Sequence, residues 1–544
     1  MNWWNELKRR WRNRMQKTVA GTGLAKEYKT IFEVAGIPSF QQFYDFGIFI
    51  WKWLWKGFYK PWHLIPAPTI ADRKRTREMF RMGMAKALCA EMAGLVWGEE
   101  CEVNVSINGR EQADADGNPI PDPLNDFIHD VFTKNAFHEK MQEHIEEGLA
   151  LGGGALKSWA EVKHDQNGNE IPETRKLMIG YAMADQFVPV TWDNAKVYEG
   201  VFISRIAKDG YYYTRLEWHT WNGLTYVIRN ELYRSQITKG VSTETQDILG
   251  VRYPLAEIYP YLEEETEVPV EESLFTYWRT PIANNLDDNS PLGMSMYGNS
   301  LETLHALDIC YDSFVREFRL GKKRIIVPAR AVRTVVDPIT GEVCRYFDAN
   351  DETYEALASD SPEDLKISDN SVELRVEEHI AAINAFLSIL CLQTGFSPGT
   401  FTFDGHEGLK TATEVVSEDS KTYKTIKTIQ KQLRPAIEHL VRNIIDVAIL
   451  YEMDYEGQSI ESLVAPGYNV NIVFDDGITQ DRQTNLNEGV MLVGAGLLSK
   501  YTFLTDPKYG QGLTKEEAEA ELQRIQNENK AGNIDPLAIF NTAE

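Results

Sequence analysis

The longest regular pattern of apolar and polar positions runs from Thr411 to about Met453 (TATEVVSEDSKTYKTIKTIQKQLRPAIEHLVRNIIDVAILYEM). It reads as one very long helix. Thr411 stands three residues before Glu414, the spacing of a capping box. At about 1.5 Å per residue the helix would be on the order of 60 Å long. That exceeds the core of one compact domain and suits a large assembly. Pro435 lies inside the pattern; it lacks an N–H and crowds the preceding turn, so a kink is expected near Lys431. The helix is fed by a loop rich in Gly, Thr and Phe (GFSPGTFTFDGHEGLK, Gly395–Lys410).

Upstream, Ala67–Leu95 reads as a helix, with Met84, Leu88, Met92 and Leu95 at helical spacing. Alternation after Glu100 reads as a strand. Leu124–Leu151 is a second helical region, stopped by Gly152, Gly153 and Gly154. From Leu156 to Val270 the pattern changes to short strands and turns (LKSWAEV, FVPVTW, VYEGVFISRI, YYYTRLEWHTW, LTYVIRNELYRS). The fold class expected is therefore α+β.

A polar loop then leads into a helix from about Tyr297 to Leu320, where Leu304, Leu307, Tyr311, Phe314 and Phe318 repeat at spacings of three and four. Gly321 ends it, and Lys322, Lys323 and Arg324 follow at its C-terminal end, where cations favour the helix dipole. A small insert spans Ile325–Leu374, with a strand (RIIVP), a hairpin around Asp337–Gly341 and an acidic helical stretch, Asp348–Asp364. A further helix runs from about Val376 to Gln393 and feeds the loop at Gly395. After Gly457 come a strand (YNVNIVFDDG) and helices at Asp481–Ala495 and Thr514–Asn529, the latter with Thr514 and Glu517 at capping-box spacing.

Two N-terminal segments stand apart. Lys8, Arg9, Arg10, Arg12, Arg14 and Lys17 lie among Trp3, Trp4 and Trp11; the segment could meet an anionic surface, but a solvated helix packing its tryptophans on a neighbour weighs more. It lacks a signal-peptide core and cleavage site. Phe46–Phe58 (FGIFIWKWLWKGF) alternates aromatics with lysines and reads as an amphipathic strand or interfacial segment, packed against the body of the protein. It is too short for a span of about 20 apolar residues.

The chain has 544 residues, 43% hydrophobic and 25% charged, which is globular composition and length for three or four domains. Cys89, Cys101, Cys310, Cys344 and Cys391 are scattered without a CxxC, so free thiols in a reducing cytosol are expected. The formal net charge of −25 excludes a protein that grips DNA over its whole surface. It permits one that encloses DNA without gripping it, because an acidic wall repels phosphate.

Enzyme motifs fail on inspection. GLALGGGALKS (Gly148–Ser158) has Leu156, not Gly, before Lys157, so it is not a phosphate loop. His138, Glu143 and His144 do not match HExxH and are expected to face solvent or a neighbouring helix. Asp475, Asp476 and Asp481 cluster at a strand end and read as turn and cap residues before they read as metal ligands. No catalytic or metal constellation emerges, and no cofactor is indicated.

Four segments in order carry a resemblance: MAKALCAEMAGLVWGEE, NAFHEKMQEHIEEGLALGGGALK, SPLGMSMYGNSLETLHALDICYDSFVREFRLGKKRIIVP and TGFSPGTFTFDGHEGLKTATEVVSEDSKTYKTIKTIQKQL. Over roughly 70–530 the chain resembles the portal (head-to-tail connector) proteins of tailed bacteriophages, in particular those of long-tailed phages of Gram-positive hosts. The resemblance implies a portal fold and a homo-oligomeric ring, usually of twelve subunits, at one capsid vertex of the virion, assembled in the host cytoplasm. Double-stranded DNA would pass through its axis during packaging and ejection. It implies partners: the terminase large subunit, a head–tail connector or adaptor, and the major capsid and scaffolding proteins, but no membrane. It maps 1–66 to a basic, aromatic N-terminal segment, 67–296 to a wing, 297–324 and 376–394 to stem helices, and 325–375 to a clip. It maps 395–410 to a tunnel loop, 411–455 to the long kinked helix, and 456–544 to a wing-return strand and helical crown.

On that resemblance, Phe401, Phe403, His406 and Lys410 are the DNA-facing loop residues, and Lys322, Lys323 and Arg324 form a basic ring at the stem end. Gly395, Gly399, Gly405 and Gly408 supply backbone freedom for a gate. Phe401 and Phe403 could pack between neighbouring loops or anchor under the helix. Lys421, Lys424, Lys427 and Lys431 mark an exposed or inter-subunit side of the long helix rather than a DNA track. Two other classes stay open at this point: a metal-dependent nucleic-acid enzyme using Asp475, Asp476 and Asp481, and a membrane-surface scaffold anchored through Phe46–Trp62.

Overall fold

The structure is a computed structural model. It describes residues 31–35, 41–67, 74–98, 101–108, 122–165, 170–194, 196–237, 248–287, 290–321, 373–403, 420–474, 489–495 and 497–505, with short pieces between 324 and 370 and near 518–524. The chain divides into two units: 1–407 with 419–473, and 408–418 with 474–544. In the second, the described residues include the short helix Lys500–Thr505. All that follows concerns the first.

That unit mixes helices and sheets, as an α+β chain should. Its longer described helices are α1 (Gln41–Trp55), α2 (Met84–Val96), α3 (Pro123–Lys134), α4 (Phe137–Leu151), α5 (Leu301–Leu320), α6 (Val376–Thr394) and α7 (Ser420–Leu450). Three short strands come first, β1 (Leu64–Pro66), β2 (Thr76–Glu78) and β3 (Glu102–Ile107). A long antiparallel meander is built from β6 (Phe187–Asp193), β7 (Lys196–Lys208), β8 (Tyr211–Asn222), β9 (Thr225–Gln236) and β10 (Val251–Tyr253), with β11 (Glu265–Val268) also on β9. A second sheet sets β4 (Gly153–Glu161) between β5 (Lys176–Met183) and β12 (Phe275–Arg279). The sheets share a core: Ala155, Ala182, Phe187, Val197, Phe202 and Phe275 form one buried cluster. The final strand, Tyr468–Val473, pairs antiparallel with Glu102–Ile107, Tyr468 opposite Ile107, so the chain returns to where it began.

Three readings of local structure are corrected and a fourth, Leu124–Leu151, is refined. Phe46–Phe58 is not a strand; Gly47, Ile48, Ile50, Trp51 and Leu54 are buried on one side of α1. The Trp–Lys alternation hid this period, because the buried residues fall three and four apart. Ala67–Leu95 is not one helix. Leu64–Pro66 pairs with Thr76–Glu78, and α2 starts only after Gly83, whose φ of 70° lies in the left-handed region. Leu124–Leu151 is two helices broken at Asn135 and Ala136. Asn135 turns its side chain to β5, donating to Leu177 O at 2.9 Å and accepting from Ile179 N at 3.1 Å. The helix placed at Tyr297 begins at Leu301; Tyr297 instead donates its hydroxyl to Trp51 O at 2.8 Å, fully buried. His144 is a lesser revision: it faces the sheet, accepting from Trp278 Nε1 at 3.1 Å.

The glycines after α4 are a helix stop, as the pattern predicts: Gly152 caps α4 at φ 96°. Gly148 and Gly154 have a second reason to be glycine. A Cβ on Gly148 would lie 2.3 Å from the Trp278 ring, and one on Gly154 would lie 2.4 Å from His144. The helix–sheet seam closes here because nothing stands between backbone and ring.

α7 runs 31 residues without interruption, about 46 Å by its rise. Leu433, Ile437, Leu440, Val441, Ile444 and Ala448 are wholly buried, so this helix is the spine of the core. Pro435 sits on the exposed side. There the carbonyl it leaves unpaired can meet water, which lowers the cost of a mid-helix proline. The start proposed at Thr411, with Glu414, lies outside the described residues.

Candidate functional site

The features that set this chain apart converge on a hairpin of α5 and α6 and on the link from α6 to α7. The hairpin is closed where α5 ends and α6 starts. Glu317 accepts from Arg375 Nε at 3.2 Å and Nη2 at 3.0 Å, and the Phe314 ring meets the His379 ring edge-on at 5.9 Å. Hydrogen bonding to Arg375 holds the Glu317 carboxyl below the usual range. Beyond this end lie short antiparallel pairs, Arg324–Ile326 with Ser368–Asn370 and Arg333–Val336 with Val343–Tyr346. The insert is thus a stalked β module reached and left through the two helices. The hairpin expected around Asp337–Gly341 has its flanking strands in the second pair, while its turn and the acidic stretch Asp348–Asp364 lie outside the described residues.

The inner face of α5 is fastened by a contact the sequence did not advertise. Asp308 accepts from Met82 N at 2.9 Å and pairs with His63 Nε2 at 3.0 Å; Asp312 accepts from both Arg77 nitrogens and from Phe80 N. Two acidic residues four apart on a helix face that is otherwise leucine were the available signal, since buried carboxylates require partners.

The link from α6 to α7 is tied down at its described ends. Gly395 turns at φ 89°, and its Cβ position is filled by Thr425, which also donates to Gly395 O at 2.8 Å. Ser397 N donates to Thr422 Oγ1 at 2.8 Å, and Lys421 Nζ donates to Leu392 O. Phe396 is fully buried beneath Phe401, ring edge to ring face at 5.2 Å. Phe403 packs at 88° against Phe314, and its N–H donates to Asn384 Oδ1 at 2.7 Å. Both half-buried phenylalanines therefore contact their own chain.

Elsewhere the sheet encloses charge. Glu217 accepts from Lys157 at 2.6 Å, Arg215 at 2.7 Å and His219 at 3.0 Å, all largely buried. Burial opposes the carboxylate, but these three neighbours hold it ionised. A cavity of about 380 Å³ lies between β12 and α7, with Lys196, Glu272, Arg279, His439 and Arg442 on its wall. His439 faces Glu272 at 3.3 Å. Among the described residues, no group of three or more His, Cys, Asp or Glu could hold a metal ion. Cys89, Cys101, Cys310 and Cys391 are free thiols.

The family model described as "Phage portal protein, SPP1 Gp6-like" matches residues 58–534. The chain belongs to that family. Its members are structural rather than enzymatic. A chain of a solved structure described as "Neck of empty GTA particle computed with C6 symmetry" aligns at 10% identity and a TM-score of 0.31, covering 78% of this chain and 88% of that chain. No curated protein sequence matches.

In this portal-family chain the expected site residues divide. Phe401 and Phe403 sit at the base of the link and Pro435 within α7. Arg324 opens the first strand of the insert. Lys322, Lys323, His406 and Lys410 lie outside the described residues, as do Asp475, Asp476 and Asp481. Lys424 and Lys431 are exposed on α7, and Lys421 and Lys427 half-buried.

Proposed function

We propose that copies of this chain close into a ring, of twelve, at one capsid vertex of a tailed phage, and that double-stranded DNA enters and leaves through its axis. The observation that carries the reading is the match to the portal family over residues 58–534. The α5–α6 hairpin is the stem and the β module at its closed end the clip, which docks the terminase large subunit during packaging and the head–tail connector afterwards. The region before α5 is the wing; 456–544 supplies the strand that returns to the wing and the helical crown. Major capsid and scaffolding proteins surround the ring, which assembles in the host cytoplasm and ends in the virion.

The link after Gly395 reaches toward DNA from its fastened base, presenting Phe401, Phe403, His406 and Lys410. Lys322, Lys323 and Arg324 form a second constriction at the stem end. Twelve copies carry a formal charge of about −300, twelve times −25. Such a wall repels phosphate and lets the duplex slide, while the few cations at constrictions meet it briefly. ATP hydrolysis belongs to the motor.

Native mass spectrometry with negative-stain imaging of the purified chain tests this. Rings with an open axis are expected. A folded, solitary particle without a bore, under conditions of native assembly, overturns it.

A further inference from the structure

Among the described helices, α6 alone is long and apolar enough to cross a membrane, yet only 22% of its apolar window is buried. Its inner side, Ile383, Leu387, Leu390, Cys391 and Thr394, faces the body. The opposite side exposes Ala381, Ala385, Ile389 and Leu392, spaced four, four and three apart, with Ile389 43% and Leu392 52% exposed. No charged residue occurs from Ile380 to Thr394. An uncovered apolar stripe of this length marks an interaction surface. On α5, the residues away from its buried leucines form a second stripe: Ile309, Ser313, Arg316 and Leu320, all exposed and spaced four, three and four apart.

We infer that the outer stripe of α6 seats the outer stripe of α5 from a second copy of this chain, so that the hairpin itself carries a subunit contact. The inference rests on the ring reading and adds which surfaces meet and in what polarity. The argument for the occupant is charge. Arg316 is exposed in the last turns of α5, and Glu377 and Glu378 are exposed in the first turn of α6. Both lie at the closed end, since Glu317 bonds Arg375 there. Rotation about an axis running beside the hairpin keeps like ends level. It therefore brings Arg316 of one copy beside Glu377 and Glu378 of the next, while the apolar stripes meet further along. Such a contact joins two different surfaces, which is the type that closes into rings. Ala381 and Ala385 allow two helix axes to approach to about 8–10 Å. A lipid surface fits less well, because α6 is fixed to α5, whose outer stripe carries the charge of Arg316.

Mass photometry of the full chain over a concentration series tests the contact. Arg316→Glu alone, and Glu377→Lys with Glu378→Lys, should each raise the concentration for half-assembly by about tenfold or more through like-charge juxtaposition. Combining all three should restore assembly, because every interface regains opposite charges. Leu392→Asp should dissociate rings without shifting the thermal unfolding of the monomer, since the side chain is already in solvent. Rings that form at wild-type concentrations in Arg316→Glu, in Glu377→Lys with Glu378→Lys and in Leu392→Asp overturn the inference while leaving the ring reading intact. A wild-type chain that never forms rings overturns both. Co-sedimentation with phosphatidylcholine vesicles that Leu392→Asp abolishes would show lipid, not a second copy, on the stripe and overturn it.

Discussion

Arg77 and Asp312, 235 residues apart in sequence, form a two-point pair: Nη1 donates to Oδ1 at 2.8 Å and Nη2 to Oδ2 at 2.6 Å. The carboxylate also accepts from Phe80 N at 3.1 Å. One turn earlier, Asp308 holds Met82 N and His63. Together they latch the segment before α2 onto the inner face of the hairpin's first helix. Burial pushes the Asp312 carboxyl up, but the Arg77 and Phe80 hydrogen bonds outweigh it and leave it below its usual range.

Asp312→Asn should therefore destabilise the chain by about 1.5–3 kcal/mol near neutral pH, the range for hydrogen bonds to charged groups. A carboxyl lowered on folding contributes fully above its unfolded value of roughly 3.9 and loses that contribution as pH falls through the folded one. The gap between wild type and variant in chemical denaturation should accordingly close below about pH 4. A gap that widens in acid would contradict the latch.

His144 titrates in the opposite sense to most surface histidines. Buried against the sheet, with Nε2 accepting from Trp278, it is pushed down to about 3. The unfolded chain binds a proton from roughly pH 6.5 downward that the folded chain refuses. Stability from this group is whole above that pH and declines through the window beneath it. His144→Gln should have a flatter melting-temperature profile between pH 6.5 and 4 than wild type, measured by scanning fluorimetry.

Gly148→Ala should be costly, on the order of 1–3 kcal/mol or more, because the added methyl meets the rigid Trp278 ring at 2.3 Å. Gly210→Ala is the control, with a positive φ but open space around the methyl. Gly148 is helical and carries no such strain, so an unchanged urea midpoint for Gly148→Ala would contradict the closeness of the helix–sheet seam.

Gly395→Ala forces a left-handed turn on a residue with a side chain and drives its methyl to 2.7 Å from Thr425. A loss of about 1–3 kcal/mol is expected from that strain. Thr425→Val should cost about 1 kcal/mol by removing the hydrogen bond to Gly395 O. In hydrogen exchange, both should raise exchange at Ser397 and Phe403, whose N–H groups hold the link to the body.

Lys410→Glu should impair DNA packaging into particles more than it impairs ring assembly. The readout is packaged genome per assembled capsid. Full packaging by the variant would remove the loop from the mechanism.

Much of the architecture was legible along the chain. The alternating strands of the meander, the helices flanking the insert, the glycine stops after α4 and α5 and the described part of the long helix, Ser420–Leu450, follow from local period. Each is a near-neighbour property. The family resemblance was legible too, because four ordered segments carry it. The N-terminal segment was misread because Trp51, Trp53 and Trp55 alternate in sequence, whereas Ile48, Trp51 and Leu54 are what the body buries. The helix Gln41–Trp55 lies before the matched family region, yet Trp55 donates to Glu146 at 2.9 Å and Lys52 pairs with Asp185. Those partners stand on elements about a hundred residues away.

Sequence alone determined the α+β class, the strands of the meander, the helices on either side of the insert and the acidic net charge. Tertiary structure alone decided that Asp308 and Asp312 are latches, that His144 is an acceptor inside the seam, and that Phe401 and Phe403 rest on their own chain. It also decided that α6, long and apolar enough to cross a membrane, turns one side outward. The reason is range: periodicity and caps act over a few residues, whereas burial and pairing of a carboxylate, an imidazole or a ring depend on what a distant segment brings to it.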